Sequence, residues 1–414
     1  MRKKYPLALF VVLFFGFFIR EVARPSRLEA ARLKYEINRK AALLDPAFSQ
    51  FIEDYESFLW QQLEEEGVPG AAVAIIKDNT IALIRPYGAR SAGSGKPVDL
   101  HTIFRVASLS KGFTGMLAGM MVEKGALSWE EPVREHVPGF RLKSEENTRN
   151  LQLQHVLSHT TGLPRHTFSN LLNMGVKYDK ILSMLPGVEV THPVGVYHNY
   201  QNVAFSLAGD VMEDVSGQSF AQLLENHIFG PLGMKDASAD YDTMRLASNV
   251  ALPHKRIAAG YAATEVEPDF YEVVPAAGVN ASISDMAKWL QALMGNRPEI
   301  VSDSLLNQVF RPFVEIPRND RVLRNWHGLQ SAHYGMGWRI LKTREGMEVI
   351  QHSGYVNGYR AEIAFSRQGR VGIVLLTNAP NYTVGHAIPA FFEQYLESCQ
   401  QNDAVAQKPK RSSL

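Results

Sequence analysis

The chain reads as an α+β protein in which strands from both ends of the sequence build one sheet and a long, mainly helical insert separates them. Three observations predict this. β-rich runs gather in residues 67–105 and again in 334–400; helical patterning with many turns fills about 106–333; and nowhere do strand and helix alternate as βαβ units. No internal repeat is present.

A charged n-region of Arg2, Lys3 and Lys4 precedes an apolar run over residues 5–19, which predicts export. No small-x-small cleavage site follows Gly16, because Phe17, Phe18, Ile19 and Arg20 come next and Glu21 spoils the Ala23 option. The apolar run is shorter than the roughly 20 residues that span a bilayer, but bilayer mismatch and snorkelling of Arg20 can accommodate it. Residues 1–26 are therefore read as a signal anchor, with a cleaved signal peptide as the alternative. The body is expected in the periplasm or another extracytoplasmic space, membrane-associated through this segment, or secreted if the leader is removed.

Residues 27–66 are expected to be helical. Leu28, Leu33, Ile37 and Leu44 recur at near-helical spacing among mixed charges; Asp45-Pro46 then supplies a cap and a first-turn proline for a helix to residue 66. Phe48, Phe51, Ile52, Tyr55, Leu59 and Leu63 share one face of it, and that face needs a sheet to cover. Runs at 70–77 and 81–87, parted by Asp78-Asn79-Thr80, predict a hairpin. An apolar helix over 115–123 stops at Gly125. Apolar segments at 151–158, 204–215 and 220–228 follow, then strands near 337–341, 348–352, 360–366 and 371–377, and a last helix from 383 to about 398. The tail 401–414, rich in Lys, Gln and Ser, reads as disordered. The body 67–400 reads as one domain.

Composition excludes several functions. A net charge of +1 without long basic runs gives no basis for nucleic-acid binding. The single cysteine, Cys399, rules out an internal disulfide, a cysteine-based zinc cluster and a lipoprotein leader. No His-Glu-x-x-His and no Gly-x-Ser-x-Gly occurs, so neither a zincin nor a nucleophile-elbow hydrolase is indicated. No cofactor and no metal are expected, and oligomeric state is left open.

Phe104-Arg105-Val106-Ala107-Ser108-Leu109-Ser110-Lys111 places a hydroxyl and an amine three residues apart where an apolar helix begins. On a helix these lie on one face. A serine needs a base within reach to become a nucleophile, and burial among Phe104, Val106 and Phe113 would push the lysine toward its free-base form. A Ser-x-x-Lys pair alone is weak, since about one or two are expected by chance in a chain of this length. The bland reading makes Ser108 an N-cap and Lys111 a solvated first-turn residue. Acyl transfer further requires a proton shuttle, oxyanion donors and a substrate anchor. Tyr200-Gln201-Asn202 and His352-Ser353-Gly354 offer these.

In that order, Ser-x-x-Lys, Tyr-x-Asn and His-x-Gly resemble the three motifs of the β-lactamase and penicillin-binding-protein superfamily, in its class C β-lactamase-like branch. Supporting stretches are Ser158-His159-Thr160-Thr161-Gly162, Ala277-Gly278-Val279-Asn280 and Tyr334-Gly335-Met336-Gly337-Trp338. The resemblance runs from about residue 68 to 395. It implies an antiparallel sheet covered by N- and C-terminal helices, and a covalent acyl-enzyme with Ser108 as nucleophile. Lys111 and Tyr200 would exchange the proton, Asn202 would orient Lys111 and the substrate, and His352 would lie across the cleft near Tyr200. The backbone N–H groups of Ser108 and Tyr355 would form the oxyanion hole, and Ser353 and Gly354 would bind substrate.

A tyrosine near its ordinary pKa of about 10 is a poor base, so a nearby cation, Lys111, is expected to lower it. Tyr197 competes with Tyr200, which is preferred for its spacing to Asn202, Leu207 and Gly209. His159 is expected to be a structural turn residue. Where β-lactamases of this branch usually carry lysine, this chain has His352, a weaker carboxylate anchor. That shifts expectation toward esters, amides or D-amino-acid peptides, including peptidoglycan-related ones, over efficient penicillin hydrolysis. A β-lactamase proper and a non-catalytic envelope binding protein remain alternatives. Loops at 165–173 and 265–274 should wall the pocket; Phe168, Leu171, Phe270 and Tyr271 there hint at an apolar acyl group, though loops of this composition also simply pack.

Overall fold

The structure, a computed structural model, describes residues 45–406. The leader expected at 1–26, the stretch 27–44 and residues 407–414 lie outside the described residues.

Twelve strands are numbered in chain order. β1 (Gly70–Lys77) and β2 (Thr80–Gly88) come from the N-terminal part; β3 (Phe104–Arg105), β4 (His254–Ile257), β5 (Gly260–Ala263) and β6 (Asn280–Ala281) lie in the insert. β7 (Val314–Glu315), β8 (Leu329–Tyr334), β9 (Arg339–Thr343), β10 (Glu348–Val356), β11 (Tyr359–Ser366) and β12 (Val371–Thr377) come from the C-terminal part. Eight of them form one antiparallel sheet in the order β2-β1-β12-β11-β10-β9-β8-β7. Its N-terminal and C-terminal parts meet one strand in from the β2 edge, where Ala71 pairs with Thr377 and Lys77 with Val371. Asp78 and Asn79 turn the β1–β2 hairpin with φ of 54° and 125°.

Period-two alternation sorts the side chains into two cores. Ala71, Val73, Ile75, Ile373 and Leu375 face the helices Pro46–Glu65 and Thr383–Ala406; Ala72, Ala74, Ile76, Val374 and Leu376 face the insert. Coverage on both faces explains why these strands read as continuous apolar runs. The first helix begins as its sequence dictates, with the Asp45 carboxylate accepting from the Ala47 N–H at 2.7 Å. Its six expected apolar residues are all buried. Tyr55 donates to the Ala387 carbonyl at 2.9 Å, and Phe51 lies 5.3 Å from Phe391.

The structure departs from the sequence reading in four places. The C-terminal half of the sheet starts at Val314 rather than residue 334, because β7 and β8 add an edge. β8, Leu-Gln-Ser-Ala-His-Tyr, is half-exposed and nearly free of β-branched residues, so it carries little strand signal. The β4–β5 hairpin interrupts the stretch read as helical, and its mostly exposed strands have no apolar stripe to betray them. The strand expected near 337 begins at Arg339. The last helix continues to Ala406, past residue 400, where the tail was placed.

Candidate active site

Ser108 is held by neighbours from the far end of the insert. β3 pairs with β6, Arg105 opposite Asn280, and the Val106 N–H donates to the Val279 carbonyl at 3.1 Å. Ala107 then takes φ of +51°, a left-handed conformation uncommon for a residue with a Cβ, and starts a short 3₁₀ turn, Ala107–Leu109. The helix Ser110–Glu123 follows without a side-chain cap, so Ser108 is not spent as an N-cap. Ser110 locks the turn instead, donating to the Ala107 carbonyl at 2.6 Å and accepting from the Val279 N–H at 3.0 Å.

The bend around Tyr334–Trp338 is pressed against this helix. A Cβ on Gly112 would run into the Trp338 indole, one on Gly115 into the Met336 carbonyl, and one on Gly337 into the Lys111 carbonyl. Only glycine permits that approach.

Lys111 is fully buried. Its Nζ lies 2.8 Å from Asn202 Oδ1, 2.9 Å from the Ala276 carbonyl and 3.4 Å from Ser108 Oγ. Burial, and then the charge of Arg339, hold the amine well below the usual lysine range. A neutral amine has two N–H donors and one lone pair. Asn202 and Ala276 take the two donors, and the lone pair is left for the Ser108 hydroxyl.

Tyr200 sits on a strap tied down by the turn around His159. Gly195 N–H donates to the Thr160 carbonyl at 2.8 Å, Asn199 N–H to the His159 carbonyl at 2.9 Å and Gln201 N–H to His159 Nδ1 at 3.1 Å. His159 is thus the structural turn residue expected, with φ of +61°. The Lys111 Nζ is 4.7 Å from the Tyr200 ring centroid. Burial pushes the phenol up to about 12, against the opposing pull of Arg339, the Ser108 hydroxyl and Arg165. The expectation that Lys111 lowers this pKa is corrected: burial outweighs every opposing influence, and those that oppose it come from Arg339, Ser108 and Arg165 rather than Lys111. Tyr197 is partly exposed and stacks on His192 at 4.4 Å, away from the nucleophile.

His352 is fully buried, 6.3 Å from Tyr200 between ring centroids. Both nitrogens are occupied, Nδ1 by the Ser353 carbonyl at 2.9 Å and Nε2 by the Tyr334 hydroxyl at 2.9 Å. Burial, with Arg339 and Lys111 adding repulsion, keeps it neutral well below 6.5. Beyond it β10 stays paired with β11 to Val356 but leaves β9 after Gln351. The stretch 352–356 therefore has a free edge, on which Ser353 is partly and Tyr355 largely exposed. A Cβ on Gly354 would fall 2.6 Å from the Val106 carbonyl and 3.0 Å from Ser108 N, so this glycine lets β10 lie against the nucleophile's own turn.

Sequence reasoning missed Arg339. It is buried, its Nη1 donates to Gln351 Oε1 at 3.1 Å, and its Cζ lies 5.9 Å from Tyr200 and 6.0 Å from Tyr334. The loop expected at 165–173 supplies Arg165 and His166 to a cavity of about 470 Å³; missed were its other walls, among them Tyr197, His198, Asn199 and the buried Asp320 carboxylate that Arg165 pairs with. Of the residues read as an apolar wall or as simply packing, Phe270 is buried in the core, and Phe168, Leu171 and Tyr271 are partly buried against it. Among the described residues, no group of three His, Cys, Asp or Glu is placed to hold a metal ion.

The family model Beta-lactamase matches residues 49–392. Unguisins hydrolase ungD of Aspergillus violaceofuscus is 28% identical over 356 residues, covering 79% of this chain and 61% of that protein. Protein flp of Staphylococcus aureus is 22% identical over 329 residues, covering 79% and 63%. The chain thus spans about three fifths of the length of these relatives. Among solved structures, the octameric penicillin-binding protein homologue from Pyrococcus abyssi superposes with a TM-score of 0.73 at 22% identity, over 85% of this chain and 77% of that one. That likeness is one of fold.

Proposed function

We propose, for a chain that belongs to the beta-lactamase family of serine hydrolases, that Ser108 is acylated and deacylated in turn by an ester or amide substrate, among which D-amino-acid peptides fit the reading. The observation that carries it is the Lys111 amine, buried, held well below the usual lysine range, bonded to Asn202 Oδ1 and the Ala276 carbonyl and 3.4 Å from Ser108 Oγ, so that its free-base form would turn its lone pair to that hydroxyl.

In this reading Lys111 takes the hydroxyl proton as Oγ bonds to the carbonyl carbon. The N–H groups of Ser108 and Tyr355 hold the oxyanion. As the bond to the leaving group breaks, the proton passes from Lys111 through the Tyr200 hydroxyl to the departing oxygen or nitrogen. Water then gives its proton back along the same path, attacks the acyl carbon and releases Ser108. Export through the leader at 1–26 belongs to the same reading and is tested by cell fractionation.

The test is a panel of nitrophenyl esters, D-alanyl peptides and a chromogenic cephalosporin on wild type and Ser108→Ala, with a fluorophosphonate label. Turnover and label lost together in Ser108→Ala are expected, with esters or D-peptides turned over faster than the cephalosporin. A serine inert to every probe, or label persisting at another serine, would overturn the assignment. A cephalosporin turned over fastest would make this a β-lactamase.

A further inference from the structure

Beneath the cleft, three buried side chains form a hydrogen-bond chain whose direction is fixed from both ends. At one end the backbone N–H of Gln201 meets Nδ1 of His159 at 3.1 Å. An N–H can only donate, so this Nδ1 is bare. At the other end Nδ1 of His352 faces the Ser353 carbonyl at 2.9 Å. A carbonyl can only accept, so that Nδ1 carries the hydrogen. Between them, the Tyr334 hydroxyl lies 3.2 Å from His159 Nε2 and 2.9 Å from His352 Nε2. With neutral rings a single arrangement satisfies every atom: His159 Nε2–H donates to Tyr334, and Tyr334 donates to the bare Nε2 of His352. The two histidines hold opposite tautomers.

The ends of this chain are functional segments. Gln201 lies between Tyr200 and Asn202, and the His159 ring packs 4.2 Å from that of Tyr200. Ser353 precedes Gly354 and Tyr355 on the free edge of β10. We infer that Tyr334 and His159 are positioning residues which, through a tautomer-locked His352, set the spacing between the Tyr200 strap and the β10 edge. The inference rests on the acyl-serine reading and deepens it: His352 acts as a spacer, with no N–H left for substrate.

Protonation breaks the chain at either ring. A hydrogen on His159 Nδ1 would oppose the Gln201 N–H, and one on His352 Nε2 would leave the Tyr334 hydrogen without an acceptor. The titratable and charged groups facing the two rings are Lys111 from the nucleophile helix, Arg339 from β9, and Tyr200 and His198 from the strap. None is a carboxylate, so nothing there stabilises an imidazolium, in line with the depressed pKa of both histidines.

The experiment is nitrogen-15 NMR of the histidine-labelled full chain, with His159 and His352 assigned through His159→Gln and His352→Gln. The proton is expected on Nε2 of His159 and on Nδ1 of His352, with neither ring titrating between pH 7 and 5. Tyr334→Phe, which removes the hydroxyl alone, should release the His352 tautomer and cut kcat on a nitrophenyl ester by ten- to about a hundredfold with KM little changed. Like tautomers, or a ring titrating near 6.5, would overturn the inference, as would a folded Tyr334→Phe protein with unchanged kcat. Should that variant not fold, the wild-type tautomers decide alone. Fluorophosphonate labelling of wild-type Ser108 separates the two failures: label with wrong tautomers removes only the chain, and no label removes both.

Discussion

Arg339 and Lys111 share the Tyr200 ring, the guanidinium carbon lying 5.9 Å and the amine nitrogen 4.7 Å from its centroid. Two full charges so placed repel each other, and arginine is the one that keeps its proton. Arg339 thereby helps to hold Lys111 as a free base. Replacing it with glutamine removes that repulsion, so the lysine pKa rises and less of the base is present at a given pH. In Arg339→Gln the acid limb of kcat/KM should move to higher pH, with a greater loss at pH 6 than at pH 9. A pH profile of ester hydrolysis checks it, and an unmoved limb would assign the proton to another group.

Tyr200, raised by burial to about 12, stays a phenol throughout the working range of the enzyme. It can pass a proton but holds no standing negative charge. Tyr200→Phe should cost on the order of 10²- to 10⁴-fold in kcat. The phenolate absorbance gained on titration to pH 11 should be the same in wild type and variant. An extra phenolate in wild type below pH 10 would restore Tyr200 as the base.

Much of the candidate site was legible because the proposed acyl transfer would constrain residue type at short range. Ser108 and Lys111 had to share a helical face, and Asn202 to follow Tyr200 by two residues. Arg339 carries no such signature, because its role depends on β9 parting from β10 after Gln351, a three-dimensional event. A strand arginine otherwise reads as solvent-facing. The bend Tyr334–Trp338 could be recognised as a stretch but not understood, since its Gly337 answers to the Lys111 helix and its tyrosine to two distant histidines. The aromatic loops misled for the opposite reason, since apolar residues that fill a core and those that line a pocket are written alike. β8 was lost because a half-exposed strand, flanked on its outer side only by the two-residue β7, need not alternate in hydrophobicity.

Gly354 was expected to admit substrate; its first neighbours are Val106 and Ser108. Gly354→Ala pushes a methyl against backbone that cannot rotate away, so either β10 or the nucleophile turn must shift. A stability loss of about 1–3 kcal/mol is expected, with slower fluorophosphonate labelling of Ser108 than the stability loss alone explains. Ordinary labelling in a folded Gly354→Ala protein would show that the turn and strand are less tightly coupled than their contact implies.

Under the sheet, Glu362 sits opposite Ser353, takes a hydrogen bond from Gln351 Nε2 at 2.6 Å, and is raised by burial to about 7. The fold therefore favours the protonated acid. For a carboxyl raised from 4.5, the stabilisation is complete below 4.5 and is lost as pH climbs through about 7, where a buried carboxylate must form. Glu362→Gln keeps the shape without that ionisation. Relative to wild type it should gain stability between pH 4.5 and 7 and level off above, by at most about 3 kcal/mol. Asp210, raised by burial to about 6, titrates in the same window but is common to both proteins and cancels in the difference. Denaturant midpoints at pH 4.5, 6 and 8.5 measure it, and a difference that does not change with pH would mean that Glu362 is ionised in the fold throughout.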